Sequence, residues 1–297
     1  MKFSGRIGVA VAAALTTIAT AAYGSHKPNF DAIYVFGDSY SDVGNIYTAT
    51  GGTYPAPPYF NGRFSNSQLW VEHLAGTYHL PMTPSLLGGT DFAFGGAEVL
   101  FPVPVSPTLS IPSVPQQVVL YLTSQQWHAD PNALYIVQGG GNDILNALGG
   151  SPEQLGQQIG YKLADTVRLL ERSGATHILI PRLFDVGLLP AAKAAGISAF
   201  ATAATVALNK VLDTELGAET FALDPHIYRI DTDSLLQAIF ADGSHYGFMD
   251  VTHPCLVTTG LPSLCTNPYV YYFWDGVHPT TFGHSFFAVL AEQELER

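Results

Sequence analysis

Charge is scarce in this chain. Asp, Glu, Lys and Arg make up 12% of the residues, about half the share of an average soluble protein, and no charge run or Ser/Gly linker marks an internal boundary. Basic residues are scarcest: 12 Lys and Arg stand against 24 Asp and Glu, a net charge of −12. A polyanion is repelled by such a surface, so nucleic acid is not an expected partner. There is no long apolar run after about residue 22, so no later segment is apolar enough to span a membrane. GxGxxG and GxxxxGK[ST] elements are missing too; Gly139-Gly140-Gly141 is followed by Asn142-Asp143 and no lysine, which leaves nucleotide binding little support. Internal repeats, heptads and low-complexity tracts are absent.

What is plentiful is uncharged: 15 Tyr, 17 Phe, 29 Gly and 20 Pro, a composition suited to long polar loops. Lys2 and Arg6 precede an apolar stretch from 7 to about 22, with small-residue cleavage options at Ala19-Thr20-Ala21 or Ala22-Tyr23-Gly24. This reads as a secretory signal peptide over 1–24, cleaved from a secreted or periplasmic protein. A membrane anchor is the alternative, but the stretch is shorter than the roughly 20 residues a spanning helix needs and is diluted by threonine. Losing Lys2 and Arg6 leaves a net charge of −14. Residues 25–297 are expected to form one domain. The two cysteines, Cys255 and Cys265, share a Pro/Thr-rich loop, and in an oxidising compartment they are expected to bridge. With His253 they would make only weak zinc spacing, and no metal is assigned.

Strands and helices alternate along the chain. Buried-strand patterns fall at 33–36, 91–97, 133–138, 177–180 and within 220–230, the first three each running into a glycine turn. Helical patterns fall at 67–75, 116–126, 152–172, 191–216, 234–240 and about 280–294, the 152–172 helix opening on Pro152 and stopping before Gly174. Residues 51–62 and 101–115 are rich in breakers and read as loops; with 242–268 they are where a lid would be sought. Such alternation implies a three-layer α/β/α sandwich around a mostly parallel five-stranded sheet.

Four separated blocks carry the chemistry: Gly37-Asp38-Ser39, Gly95-Gly96, Gly140-Gly141-Asn142-Asp143, and Asp275-Gly276-Val277-His278-Pro279. Alone, each reads as an ordinary turn, strand end or helix start. In this order, within the fuller strings 36–45, 61–66 and 273–280, they resemble the SGNH/GDSL hydrolase family and its lipase/acylhydrolase branch across nearly the whole mature chain. Tyr40 stands where many members have leucine, and 101–115 does not align.

That resemblance implies a flavodoxin-like fold and an ester hydrolase needing no cofactor. It assigns Ser39 as nucleophile, His278 as base, and Asp275 as the carboxylate that orients His278. It also assigns the oxyanion donors to the Ser39 and Gly96 backbone N–H groups and the Asn142 side chain. A serine hydroxyl is a poor nucleophile until a base lies within hydrogen-bond reach, which is why these residue types are required. Asp38 and Asp42 read as structural braces of the turn, His245 and His253 as loop histidines, and 269–274 as core and pocket wall. Expected partners are small-molecule or lipid esters; transient contact with lipid surfaces stays open, and no obligate protein partner is evident. The rival readings are a carbohydrate acetyl esterase with the same catalytic residues and a silent secreted binding module.

Overall fold

The computed structural model describes residues 28–217, 221–223, 225–258 and 261–297; the expected signal peptide lies outside them. In chain order come β1 (Ile33–Phe36), α1 (Asn45–Ala49), α2 (Trp70–Thr77), β2 (Val103–Ser106), β3 (Leu109–Ile111), α3 (Val114–Ser124) and β4 (Leu134–Val137). Then follow α4 (Gly141–Leu145), α5 (Pro152–Arg172), β5 (His177–Leu179), α6 (Pro190–Ala194), α7 (Ser198–Glu215), β6 (His226–Tyr228) and α8 (Thr232–Ala241). The last part holds β7 (Asp250–Pro254), β8 (Leu256–Val257), β9 (Ser263–Leu264), β10 (Tyr271–Phe273) and α9 (Thr281–Leu295).

β1, β4, β5 and β6 form the central sheet in that order, all parallel. Both faces are covered: α3, α5 and α7 pack as one group, while α2 packs on α9. Every residue of β4 and three of the four in β1 are therefore buried, which is why these strands read as unbroken apolar runs instead of alternating ones. Ser151 starts α5 by accepting the Gln154 N–H at 3.2 Å, with Pro152 at the first helical position where its missing N–H costs nothing.

The architecture is the expected α/β/α sandwich, with one correction to its strand count. Residues 91–97 do not form a fifth strand; Asp91 makes isolated parallel bridges, to Val35 of β1 and to Pro84. Two backbone bonds continue the first, Phe92 N–H to Val35 O at 2.7 Å and Phe94 N–H to Gly37 O at 3.1 Å. The ladder stops because side chains take over the backbone groups beyond it: Asn45 Nδ2 donates to the Asp91 and Ala93 carbonyls, and the Gly95 N–H donates to Asp42. A second correction concerns 101–115, read as loop, which contains the antiparallel hairpin β2–β3. The 191–216 helix is two helices, broken around Gly196, whose φ of +70° ends the first.

Candidate active site

The segments after β1, after the 90–94 bridge and after β4 all leave the sheet at its carboxyl edge. From β1 the chain goes first to the Asp91 bridge on one edge of that strand and then to β4 on the other, a reversal of direction at which open α/β sheets leave a crevice. Gly37 opens the turn after β1. Its N–H donates to Gln117 Oε1 at 2.8 Å while Gln117 Nε2 donates to its carbonyl at 2.9 Å, and a side chain at Gly37 would run into Gln138. A reverse turn follows, in which the Ser41 and Asp42 N–H groups both donate to the Asp38 carbonyl at 3.0 Å. Ser39 sits inside that turn and is buried.

The structure brings Ser39, Asp275 and His278 together. The Ser39 hydroxyl lies 2.7 Å from His278 Nε2, and His278 Nδ1 lies 2.7 and 2.9 Å from the two Asp275 oxygens. The loop carrying Asp275 and His278 is fixed from several sides. Asp275 Oδ1 accepts the N–H groups of Val277 and His278 at 2.8 and 2.7 Å, and the Trp274 N–H donates to the His278 carbonyl at 2.7 Å. α9 begins just beyond, capped by the Thr280 hydroxyl. Burial pushes the Asp275 carboxyl up, but the His278 imidazole and the hydrogen bonds from His278 and Tyr59 outweigh it and hold it below its ordinary value.

Tyr40 explains its departure from the family pattern. Its hydroxyl donates to the Val277 carbonyl at 2.6 Å, tying the serine turn to the histidine loop, a bond leucine cannot make. Its ring packs against Phe184 and Phe287.

The Ser39 N–H, the Gly96 N–H and one Asn142 amide hydrogen have no acceptor among the described residues, and all three residues line one groove of about 460 Å³ with His278. Asn142 Nδ2 spends its other hydrogen on the Ala97 carbonyl at 2.9 Å, which aims the amide. Gly96 has φ +81°, a conformation that strains other residues, and a side chain at Gly95 would collide with the Phe64 ring. Of the two glycines, the Gly95 N–H donates to Asp42 and the Gly96 N–H has no acceptor among the described residues.

Beyond these residues the groove wall is largely apolar: Ile46, Phe64 and Tyr54, with Thr50, and Val105 and Ile111 of the β2–β3 hairpin. The 269–274 stretch lines none of it, a correction to its expected part in the wall; Tyr272, Phe273 and Trp274 are buried in the core instead. Arg63 pairs with Glu72 at 2.8 Å and has no part in the groove. His245 and His253 are exposed, the latter paired with Asp250. Among the described residues no three His, Cys, Asp or Glu side chains are placed to hold a metal ion. Cys255 and Cys265 are joined in a disulfide.

Three contributions go beyond the sequence reading, which names Asp42 as a brace of the serine turn and Asp143 within its block, and does not name Tyr59. The Tyr59 hydroxyl donates to Asp275 Oδ2 at 2.7 Å from the 51–62 loop. Asp42 reaches across to the Gly95 N–H, and Asp143 holds the Val99 and Leu100 N–H groups at 2.9 and 3.0 Å. Asp42 and Asp143 carry a local signal, as a brace of the serine turn and as the neighbour of Asn142; Tyr59 carries none.

Comparison with known proteins shows the family of the chain. The profile of the GDSL-like lipase/acylhydrolase family matches residues 33–290. The thermolabile hemolysin of Vibrio parahaemolyticus is 27% identical over 89% of this chain and 63% of its own length. The phosphatidylcholine-sterol acyltransferase of Aeromonas hydrophila is 27% identical over 77% of this chain and 66% of its own. The chain thus spans about two thirds of the length of these two relatives. Among solved structures, a carbohydrate acetylesterase from Sinorhizobium meliloti aligns with a TM-score of 0.46 and 14% identity, covering 88% of this chain and 97% of that one. With the family profile running from the first strand into the last helix, the chain belongs to the GDSL-like lipase/acylhydrolase family.

Proposed function

We propose that this protein is an exported serine esterase that cleaves carboxylic esters bearing an alkyl chain, through an acyl-enzyme on Ser39. The observation that carries the reading is the 2.7 Å approach of His278 Nε2 to the Ser39 hydroxyl, with the Asp275 carboxylate at 2.7 Å behind the ring. His278 takes the hydroxyl proton as Ser39 attacks the ester carbonyl. Asp275 holds the Nδ1–H tautomer and stabilises the imidazolium. The oxygen that gains charge is received by the Ser39 and Gly96 N–H groups and the Asn142 amide. His278 then gives its proton to the departing alcohol, and water deprotonated by the same ring releases the acid. Every proton moved in this cycle passes through one imidazole.

The largely apolar groove wall supports an alkyl chain on the substrate, since Ile46, Phe64, Val105 and Ile111 offer a sugar hydroxyl no partner and, away from the Ser39–His278 end, Thr50 and Tyr54 alone carry hydroxyls. One relative carries phosphatidylcholine and acyl transfer in its name, so phospholipid acyl esters are the class to try first. Export is supported by the basic and apolar start of the sequence and by the Cys255–Cys265 disulfide. No described helix is long and apolar enough to cross a membrane.

Initial rates on acetyl, butyryl, octanoyl and palmitoyl esters, and on phosphatidylcholine, test the reading. Turnover that rises from acetyl to octanoyl supports it. A preference for acetyl esters returns weight to the carbohydrate esterase, and no turnover of any ester by folded protein overturns it.

A further inference from the structure

Two buried carboxyl groups take no part in the steps above. Asp42 lies three residues after Ser39, Asp91 lies five before Gly96, and both are fully excluded from solvent. Asp42 receives four backbone N–H groups: Gly44 and Asn45 on Oδ1 at 2.8 and 2.5 Å, Ile46 and Gly95 on Oδ2 at 3.1 and 2.7 Å. The first three belong to its own segment, but the fourth belongs to the loop that presents Gly96. Asp91 reaches the opposite way, accepting the Val43 N–H at 2.7 Å along with the nearby Ala93 N–H at 2.9 Å. The serine segment and the Gly95-Gly96 loop therefore each carry a carboxyl group bonded to the other's backbone.

This crossing has a geometric consequence. Two of the three oxyanion donors, the Ser39 and Gly96 N–H groups, come from these two segments, and donors act strongly only when their spacing is fixed before charge develops. The groove holds only one of the two adjacent glycine N–H groups open, and the Asp42 bond to its neighbour decides which. Asparagine is a near-isostere, yet it has one acceptor oxygen where four donors converge, and its amide hydrogens would oppose one pair of them. We infer that Asp42 is a positioning residue of the oxyanion hole, holding the Gly96 N–H in register with Ser39 through the Gly95 N–H. This inference rests on the esterase reading and on Gly96 as a donor.

A positioning role and a merely structural one separate on the substrate's carbonyl atom. Replacing the carbonyl oxygen of an ester by sulfur weakens its hydrogen bonds to the hole, so the oxo/thiono ratio of kcat/KM measures how well the hole works. In folded Asp42→Asn the oxo ester is expected to lose about 10- to 100-fold in kcat with KM within about twofold, while the thiono ester loses far less, so the ratio collapses towards that of Asn142→Ala. An equal loss on both esters, or wild-type kinetics, overturns the inference. If Asp42→Asn does not fold, Asp91→Asn removes the reciprocal tie and is read by the same ratio: a collapse supports the inference and an unmoved ratio overturns it. A folded wild type that turns over neither ester overturns the esterase reading itself, and the inference with it; wild-type turnover with an unmoved ratio overturns the inference alone.

Discussion

The Tyr59 hydroxyl donates to Oδ2 of Asp275 across 2.7 Å, joining the breaker-rich 51–62 loop to the carboxylate behind His278. Burial and the neighbouring Asp275 charge push the phenol well above its ordinary value, so it stays a donor throughout the working pH range. Its bond is one of those that keep the Asp275 carboxyl low. Tyr59→Phe should therefore lower kcat/KM about 10- to 150-fold, in line with about 1.5–3 kcal/mol for a bond to a charged group. It should also move the acid limb of the pH–rate profile upward, since Asp275 becomes easier to protonate. Unchanged kinetics with an unchanged profile would show that the bond does not support the reaction.

The β2–β3 hairpin predicts chain-length selectivity. Val105 is 52% exposed yet lines the groove, so a change there alters the wall without emptying the core. Val105→Glu is expected to cut kcat/KM on octanoyl esters about tenfold or more while leaving acetyl esters within about twofold, because only the longer chain reaches that wall and must strip water from the carboxylate. Equal effects on both lengths would place the chain elsewhere.

The disulfide braces the site from below. Cys255 and Leu256 donate to the Phe273 and Trp274 carbonyls at 3.0 and 2.6 Å, immediately before Asp275, and Trp274 packs with Tyr59 beside the cysteines. The bridge closes a loop of sequence separation 10, for which chain entropy suggests about 2–3 kcal/mol. A Cys255→Ser, Cys265→Ser double variant should show that loss in urea unfolding and a lower kcat. Equal stability with and without the bridge would contradict it.

Asp143 gives stability a pH signature. Burial pushes its carboxyl up to about 6 despite the Val99 and Leu100 N–H groups, against about 3.9 in an unfolded chain. Between these values the native state keeps a proton that the unfolded chain has shed, so this group's contribution falls as pH rises through the window. The stability of wild type minus that of Asp143→Asn should decline from pH 4 to pH 6, by at most about 1.4 kcal/mol per unit, and level off above. A difference that grows with pH would reverse the sign.

How far the sequence announces all this depends on the range of the interaction. β1 and β4 are legible because both faces are covered and the strands are apolar throughout; α5 is legible from Ser151 and Pro152 at one end and Gly174 at the other. The β2–β3 hairpin is hidden by Pro104, which a two-stranded edge tolerates and a central strand does not. The 91–97 segment has the composition of a strand, but the Asp42 and Asn45 side chains take its backbone groups, a tertiary event no local pattern records. Alanine content masks the break at Gly196. Within the site, Ser39, Asn142 and His278 lie in recognisable blocks, whereas Tyr59 meets its partner 216 residues away in a loop whose local signal is only prolines and glycines.

The central claim is that Ser39 is the nucleophile and His278 activates it. An alkyl fluorophosphonate followed by peptide mass mapping tests this most directly. One adduct per chain on Ser39, appearing in step with the loss of ester turnover and slowed at least about 10³-fold in His278→Ala, is the result expected. An adduct on another residue, or ester hydrolysis that persists in folded Ser39→Ala, would contradict the account.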